Sequence, residues 1–309
     1  MSSSVTAYQE LLAAWRLQAK ANPWLTRAFL ATLGLLLLLV FASALHGLEE
    51  QHRAHFRLAN YGGLAGFAAT STGALLILFL GRVRPRLQDA LLGFAAGMML
   101  AASAFSLILP GLEAAGELLT STGLASAVVV AGIAMGTLLM LGLDYFTPHT
   151  HESTGPCGPE CQRIGGIWLF VFAIALHNLP EGMAIGVSFA QGDLTVGLPL
   201  TTAIVIQDIP EGFAVALALQ ASGLSKIRSI LIAAATGLLE PLGAILGFSM
   251  ASSIAIAYPL SMGIAAGAMI FVVSHEVIPE THRNGNQTMA SIGLMGGFML
   301  MMFLDTAFG

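Results

Sequence analysis

Nine stretches of this sequence, at 28–45, 63–80, 88–110, 124–144, 165–190, 196–221, 229–251, 258–278 and 289–306, are apolar for long enough to cross roughly 30 Å of hydrocarbon as helices. Nothing else constrains the fold as strongly. In lipid each backbone amide has to find its partner within the chain, so spans joined by short turns predict an all-α, polytopic transmembrane helix bundle. Charged residues are 9% of the chain, against about 25% in soluble domains, which excludes reading these stretches as buried cores of soluble domains. The one sizeable polar connection, 145–164, is too short to be a domain.

Basic residues set the expected orientation. With the amino terminus in the cytoplasm, Arg16, Lys20, Arg27, Arg82, Arg84, Arg86, Arg163, Lys226, Arg228 and Arg283 are inside and only Arg53 and Arg57 are outside. Loop 145–164 is then cytoplasmic, and the expected location is the inner (plasma) membrane, multi-pass. Ala42-Ser43-Ala44 resembles a signal-peptidase site, but the polar leader, with Glu10 in it, is long for a secretory signal; a retained first helix is expected. The net charge of −5 and the scatter of basic residues among short loops leave no patch for nucleic acid. Two cysteines, Cys157 and Cys161, in a cytosolic loop do not make a disulfide framework.

The distinctive feature is an internal repeat. His177-Asn178-Leu179-Pro180-Glu181-Gly182 lies in the fifth span and Gln207-Asp208-Ile209-Pro210-Glu211-Gly212 in the sixth, with a looser third copy at Glu276-Val277-Ile278-Pro279-Glu280. Residues i and i+4 share a helix face, so His177 stands with Glu181 and Gln207 with Glu211, while Asn178 and Asp208 lie one position round. Each proline removes a backbone donor, leaving the Leu176 and Ile206 carbonyls free, which hydrocarbon tolerates only where the bend lines a polar cavity or ion site. By rise along the helix, His177 and Gln207 both lie roughly 18 Å deep, near the midplane. Glu240, in Leu239-Glu240-Pro241, and Met99 reach the same level.

Four carboxylates at this depth, Glu181, Asp208, Glu211 and Glu240, cost about 2.5–3.5 kcal/mol each and so on the order of 10 kcal/mol together if ionised and unpaired. No Lys or Arg shares their depth, which leaves protons or bound cations to neutralise them. Imidazole, carboxylate and amide donors, with a thioether from Met99, suit Zn²⁺ and its neighbours better than Ca²⁺ or Mg²⁺. The competing reading is a set of hydrogen-bonded polar residues cementing a bundle. A doubled motif with Glu240 at the same depth argues against it. Small residues four apart, Gly62/Gly66, Gly93/Gly97, Gly132/Gly136, Gly182/Gly186, Gly263/Gly267 and Gly293/Gly297, read as close helix packing or dimerisation.

HNLPEG, QDIPEG and Ser274-His275-Glu276-Val277-Ile278-Pro279-Glu280-Thr281, with Gly93-Phe94-Ala95-Ala96-Gly97-Met98-Met99-Leu100 running on to Ser106 and Pro110, resemble the signatures of the ZIP (Zrt/Irt-like protein) family of divalent metal transporters, bacterial type. The resemblance covers about 60–309. It implies an eight-helix core at 61–309, with 1–60 as a leader and one extra N-terminal helix, and import of Zn²⁺ into the cytoplasm by a chain that often forms a homodimer. It also implies a binuclear centre. One site would use Met99, His177, Glu181, Gln207 and Glu211, and its neighbour Asn178, Glu181, Asp208, Glu211 and Glu240, with Glu181 and Glu211 bridging. Gln207-Asp208 stands where the family's second motif frequently reads His-Asn, which leaves metal preference open between Zn²⁺, Cd²⁺ and Fe²⁺.

Ser106, Glu113 and Asp305, toward the outer face, fit an access path for cations; Glu113 and Asp305 also fit ordinary solvated helix ends. His275, Glu276 and Glu280 fit a receiving group on the inner side, or an exposed helix terminus. His149, His151, Cys157 and Cys161 fit a metal-sensing or handoff loop and equally a linker. No catalytic cofactor is implied; the metal is cargo, and the remaining partner is the lipid bilayer. An intramembrane metalloprotease needs His-Glu-x-x-His, which His275-Glu276-Val277-Ile278-Pro279 fails at its last position. A metal exporter or proton-coupled carrier built on the same carboxylates remains the rival.

Overall fold

A computed structural model describes residues 16–46, 50–80, 84–146, 149–151, 155–157, 166–221, 223–282 and 284–308. Glu10, Arg82, Cys161, Arg163 and Arg283 lie outside them. The described chain is a bundle of long helices: α1 (Pro23–His46), α2 (Glu50–Leu75), α3 (Pro85–Leu118), α4 (Thr122–Phe146), α5 (Gly166–Ser188), α6 (Leu194–Ala221), α7 (Lys226–Ala251), α8 (Ala257–Thr281) and α9 (Gln287–Phe308). Eight of these hold segments long and apolar enough to cross a membrane; α5, with 23 residues, carries the first motif. Between α4 and α5 a short antiparallel ribbon pairs β1 (His149–His151) with β2 (Gly155–Cys157), His149 opposite Cys157.

Helix ends depart from the hydropathy limits for physical reasons. α2 begins at Glu50, well before 63, because its first turns, with Arg53 and Arg57, are polar and invisible to an apolar window. α3 runs on to Leu118 instead of stopping near Pro110. A π-helical turn at Ser103–Ile108 precedes Leu109–Leu118, and Pro110 falls at the second position of that last segment, directly after the wider turn. α8 repeats the device with a π turn at Val273–Val277 followed by Pro279. α7 is two half-helices, Lys226–Thr236 and Leu239–Ala251, interrupted at Gly237-Leu238.

Four helix pairs dominate the packing: α3 with α9, α4 with α8, α5 with α7, and α2 with α6. The glycines spaced by four define the first three. Gly93 and Gly97 meet the Ala290 and Leu294 carbonyls of α9, and Gly293 and Gly297 meet Ala90 and Phe94 of α3. Gly132 and Gly136 interlock with Gly263 and Gly267 in the same way, and Gly182 and Gly186 sit against the Glu240 and Ala244 carbonyls of α7. Lipid gives helices little hydrophobic reason to associate, so close backbone approach between small residues supplies the attraction. α1 packs on both α4 and α7; Leu36 and Leu39 join Leu139, Met183, Met250 and Ile264 in one buried cluster. Gln18 and Asn22 donate to Tyr145 at the end of α4, at 3.0 and 2.7 Å.

A β-carbon at Gly186 would press on the α7 backbone itself, so Gly186→Ala forces the pair apart at a cost of about 1–3 kcal/mol. The expected result is a melting temperature several degrees lower in detergent, with Gly34→Ala, which meets nothing within 4 Å, unchanged.

Candidate metal centre

The two motifs lie inside α5 and α6, with Pro180 and Pro210 as interior prolines. Asn178, Glu181, Gln207 and Asp208 are buried, and Glu211 is partly so. One oxygen from each of Glu181, Asp208 and Glu211 lies within 4.8 Å of the other two. Oxygens around one ion at about 2.0–2.2 Å stand no more than about 4.4 Å apart, so the trio needs little adjustment to share a cation. Gln207 turns its amide inward as well, donating from Nε2 to Glu181 Oε1 at 2.7 Å.

Glu240 arrives from α7. It stands in the first turn of the second half-helix, just past the Gly237-Leu238 break, where unpaired amides favour a negative group. Its carboxyl group is buried, accepts Thr70 Oγ1 at 2.7 Å, and comes within hydrogen-bonding reach of Asp208. Asp208 Oδ2, Glu240 Oε2 and the Gln207 Oε1 oxygen are buried and, among the described residues, meet no N–H or hydroxyl donor. Thus α5, α6 and α7 bring four carboxylates and an amide together. α5 and α6 contain no Lys or Arg, and Lys226 and Arg228 of α7 lie in its first turn, far from Glu240. The result is a buried, acceptor-rich cluster with no Lys or Arg on the two motif helices.

The remaining expected residues are placed as follows. His177 stands one turn before Glu181 on α5, with its Nε2 buried. Met99 is fully buried on α3, in the apolar cluster that holds Ala184 of α5 and Ile204 and Ile206 of α6. Toward one end of the bundle a cavity of about 610 Å³ is lined by Ser106, Glu113, Glu117, Asp193, Tyr258 and Asp305, and Ser106 donates to Asp305 at 2.6 Å. Glu117 and Asp193 carried no signal as isolated loop-side acids. Glu113 lies inside α3, exposed, not at a helix end.

At the opposite end, Asp144, His275 and Glu276 place one ligand atom each within 4.8 Å, and His275 Nε2 lies 3.8 Å from Asp144. Asp144 was not legible in the sequence because it terminates α4, far along the chain from the α8 residues it faces. Glu280 interacts electrostatically with Glu276 and with Asp89. Asp89 itself is a structural acid, its two oxygens taking the Asn284 and Asn286 amides at 2.8 Å each. His149 and Cys157 are opposite each other in the β1–β2 ribbon, while Cys161 lies outside the described residues.

Comparison with known proteins shows the family. The sequence profile of the ZIP Zinc transporter family matches residues 158–305. The chain is 61% identical over 300 residues to the zinc transporter ZIPB of Bordetella bronchiseptica, covering 97% of both chains. The chain belongs to the ZIP zinc transporter family. A second relative, the zinc transporter GufA of Myxococcus xanthus, is 39% identical over 246 residues, 80% of this chain and 96% of its own. The zinc transporter ZupT of Corynebacterium aurimucosum is 31% identical over 241 residues, 75% and 90% of the two. This ZIP-family chain is accordingly a multi-pass membrane protein of a transporter family, and in a bacterium such a bundle resides in the inner membrane.

If the cluster holds its carboxylates together at a cost, neutralising one should stabilise the empty protein. Asp208→Asn is expected to raise the melting temperature in EDTA by a few degrees while shrinking the rise that added Zn²⁺ produces; thermal unfolding with and without metal checks both.

Proposed function

We propose that this chain carries Zn²⁺ across the membrane into the cytoplasm through a binuclear centre at the meeting of α5, α6 and α7. The observation that supports the reading most directly is the buried convergence of Glu181, Asp208 and Glu211, joined by Glu240, with no basic side chain on the motif helices to balance them. Two divalent ions supply +4 against the four carboxylates. In this reading Met99, His177, Glu181, Gln207 and Glu211 hold one ion, and Asn178, Glu181, Asp208, Glu211 and Glu240 hold the other. Glu181 and Glu211 bridge. The name of each relative quoted above, zinc transporter, favours Zn²⁺ as cargo. Cd²⁺ fits the same donors, since His177 and Met99 admit softer ions.

The acids of the 610 Å³ cavity, with Ser106 on Asp305, gather cations from outside. The ion exchanges its waters for carboxylate, amide and imidazole donors at the centre. The motif helices then move against their neighbours and expose the site inward, where Asp144, His275, Glu276 and Glu280 receive the ion, and the segment with His149 and His151 serves as a handoff loop. Broken helices at the midplane are what alternating-access carriers use, and several modest sites in series allow release. The amino terminus is cytoplasmic, and two copies associate as a homodimer. The rival, export or proton-coupled exchange through the same carboxylates, differs in direction and coupling.

Flux of ⁶⁵Zn into oriented proteoliposomes, with and without a pH gradient, separates them. Saturable inward flux independent of the gradient is expected; outward flux or strict proton dependence selects the rival. His177→Ala and Glu211→Ala should each reduce flux at least tenfold at normal expression, and Glu113→Ala only a few-fold. Loss of folding with retained specific flux would instead mean that these residues serve packing.

A further inference from the structure

α2 carries no histidine or carboxylate near the centre, yet two of its residues touch Glu240 and Asp208. Thr70 is buried, and its hydroxyl donates to Glu240 Oε1 at 2.7 Å. One turn earlier on the same face, a β-carbon at Gly66 would collide with Glu240 Oε2 and press on Asp208 Oδ2. Those two oxygens are buried and meet no donor among the described residues, and both lie against the place a side chain at position 66 would take. The surroundings hold Thr70 in place. Gly212, which ends the second motif, lets the Thr70 backbone close in, and Gly237, at the break in α7, abuts its side chain.

Gly66 differs from its neighbours. At Gly63 and Gly182 an added β-carbon would strike the backbone of Pro241 and Glu240, as expected of glycines that seat one helix on another. At Gly66 it strikes the free end of a side chain, which can swing away. The space therefore serves the carboxylate. A hydroxyl has one proton to donate, so Thr70 occupies Oε1 and leaves Oε2 as the atom presented beside Asp208.

We propose that Thr70 and Gly66 form a seat that fixes Glu240 as a one-oxygen ligand and thereby sets the affinity and selectivity of the second metal position. This rests on the binuclear reading above. Both are positioning residues, acting through Glu240. A carboxylate with one oxygen already engaged suits the low coordination number of Zn²⁺; Ca²⁺ takes six to eight oxygens and often both from one carboxylate. Engaging Oε1 therefore discriminates against Ca²⁺.

The test is zinc titration of the purified full-length protein in detergent against a competing chelator, repeated with Ca²⁺ as competitor. Wild type should show two classes of site. Thr70→Val, similar in shape but without the donor, should weaken one class about 10- to 100-fold and raise the potency of Ca²⁺ there. Thr70→Ser should restore both properties, and Gly66→Ala should mimic Thr70→Val while melting in EDTA at the wild-type temperature. Two unchanged classes in Thr70→Val, or a Thr70→Ser as defective as Thr70→Val, would overturn the seat while sparing the binuclear centre. A wild type with fewer than two classes of zinc site would overturn the reading beneath it.

Discussion

Four carboxylates gathered inside a hydrophobic bundle, with no Lys or Arg on the motif helices, are the constraint on which the rest of the structure depends. An ionisable residue at the centre of a bilayer costs a few kcal/mol, and that cost is acceptable only where solvation is replaced by something specific. Glu181, Asp208 and Glu211 answer by converging until their oxygens lie within 4.8 Å, a spacing that like charges resist and a divalent ion favours. The amide of Gln207, the hydroxyl of Thr70 and the broken end of α7 add partial positive charge around them.

Irregular backbone collects where function needs polar atoms. Pro180 and Pro210 each remove a backbone donor inside the motif helices, Gly237-Leu238 splits α7 just before Glu240, and π turns in α3 and α8 precede Pro110 and Pro279. The first π turn contains Ser106 of the 610 Å³ cavity, and the second contains His275 and Glu276 of the group at the opposite end. A regular helix has no spare backbone positions, and a bend or bulge supplies them in places shielded from lipid. Close packing through glycine does the complementary work, bringing α7 near enough to α5 for Glu240 to reach the motif residues.

Much of this was legible along the chain. The helical spans, the interior prolines of the two motifs and the shared face of residues four apart follow from period and rise, which are local properties. The glycines at four-residue spacing announced close packing but not their partners: pairing α3 with α9, or α5 with α7, requires contacts between residues far apart in sequence. Gly66 appeared as one more packing glycine. Its role beside Glu240 depends on which helix faces it, a fact absent from any single segment.

The sequence by itself determined that this chain folds into helices long and apolar enough to span a membrane, and that two of them carry matching acidic motifs around an interior proline. Composition and spacing fix those because hydrocarbon thickness and helical rise are constants. Only the tertiary structure decided that Asp144 meets His275 and Glu276, that Glu117 and Asp193 join the cavity of Ser106 and Asp305, and that Thr70 donates to Glu240. The reason is physical: each is a meeting of side chains from different helices, set by how glycine-lined faces dock, and docking is a property of surfaces and not of strings.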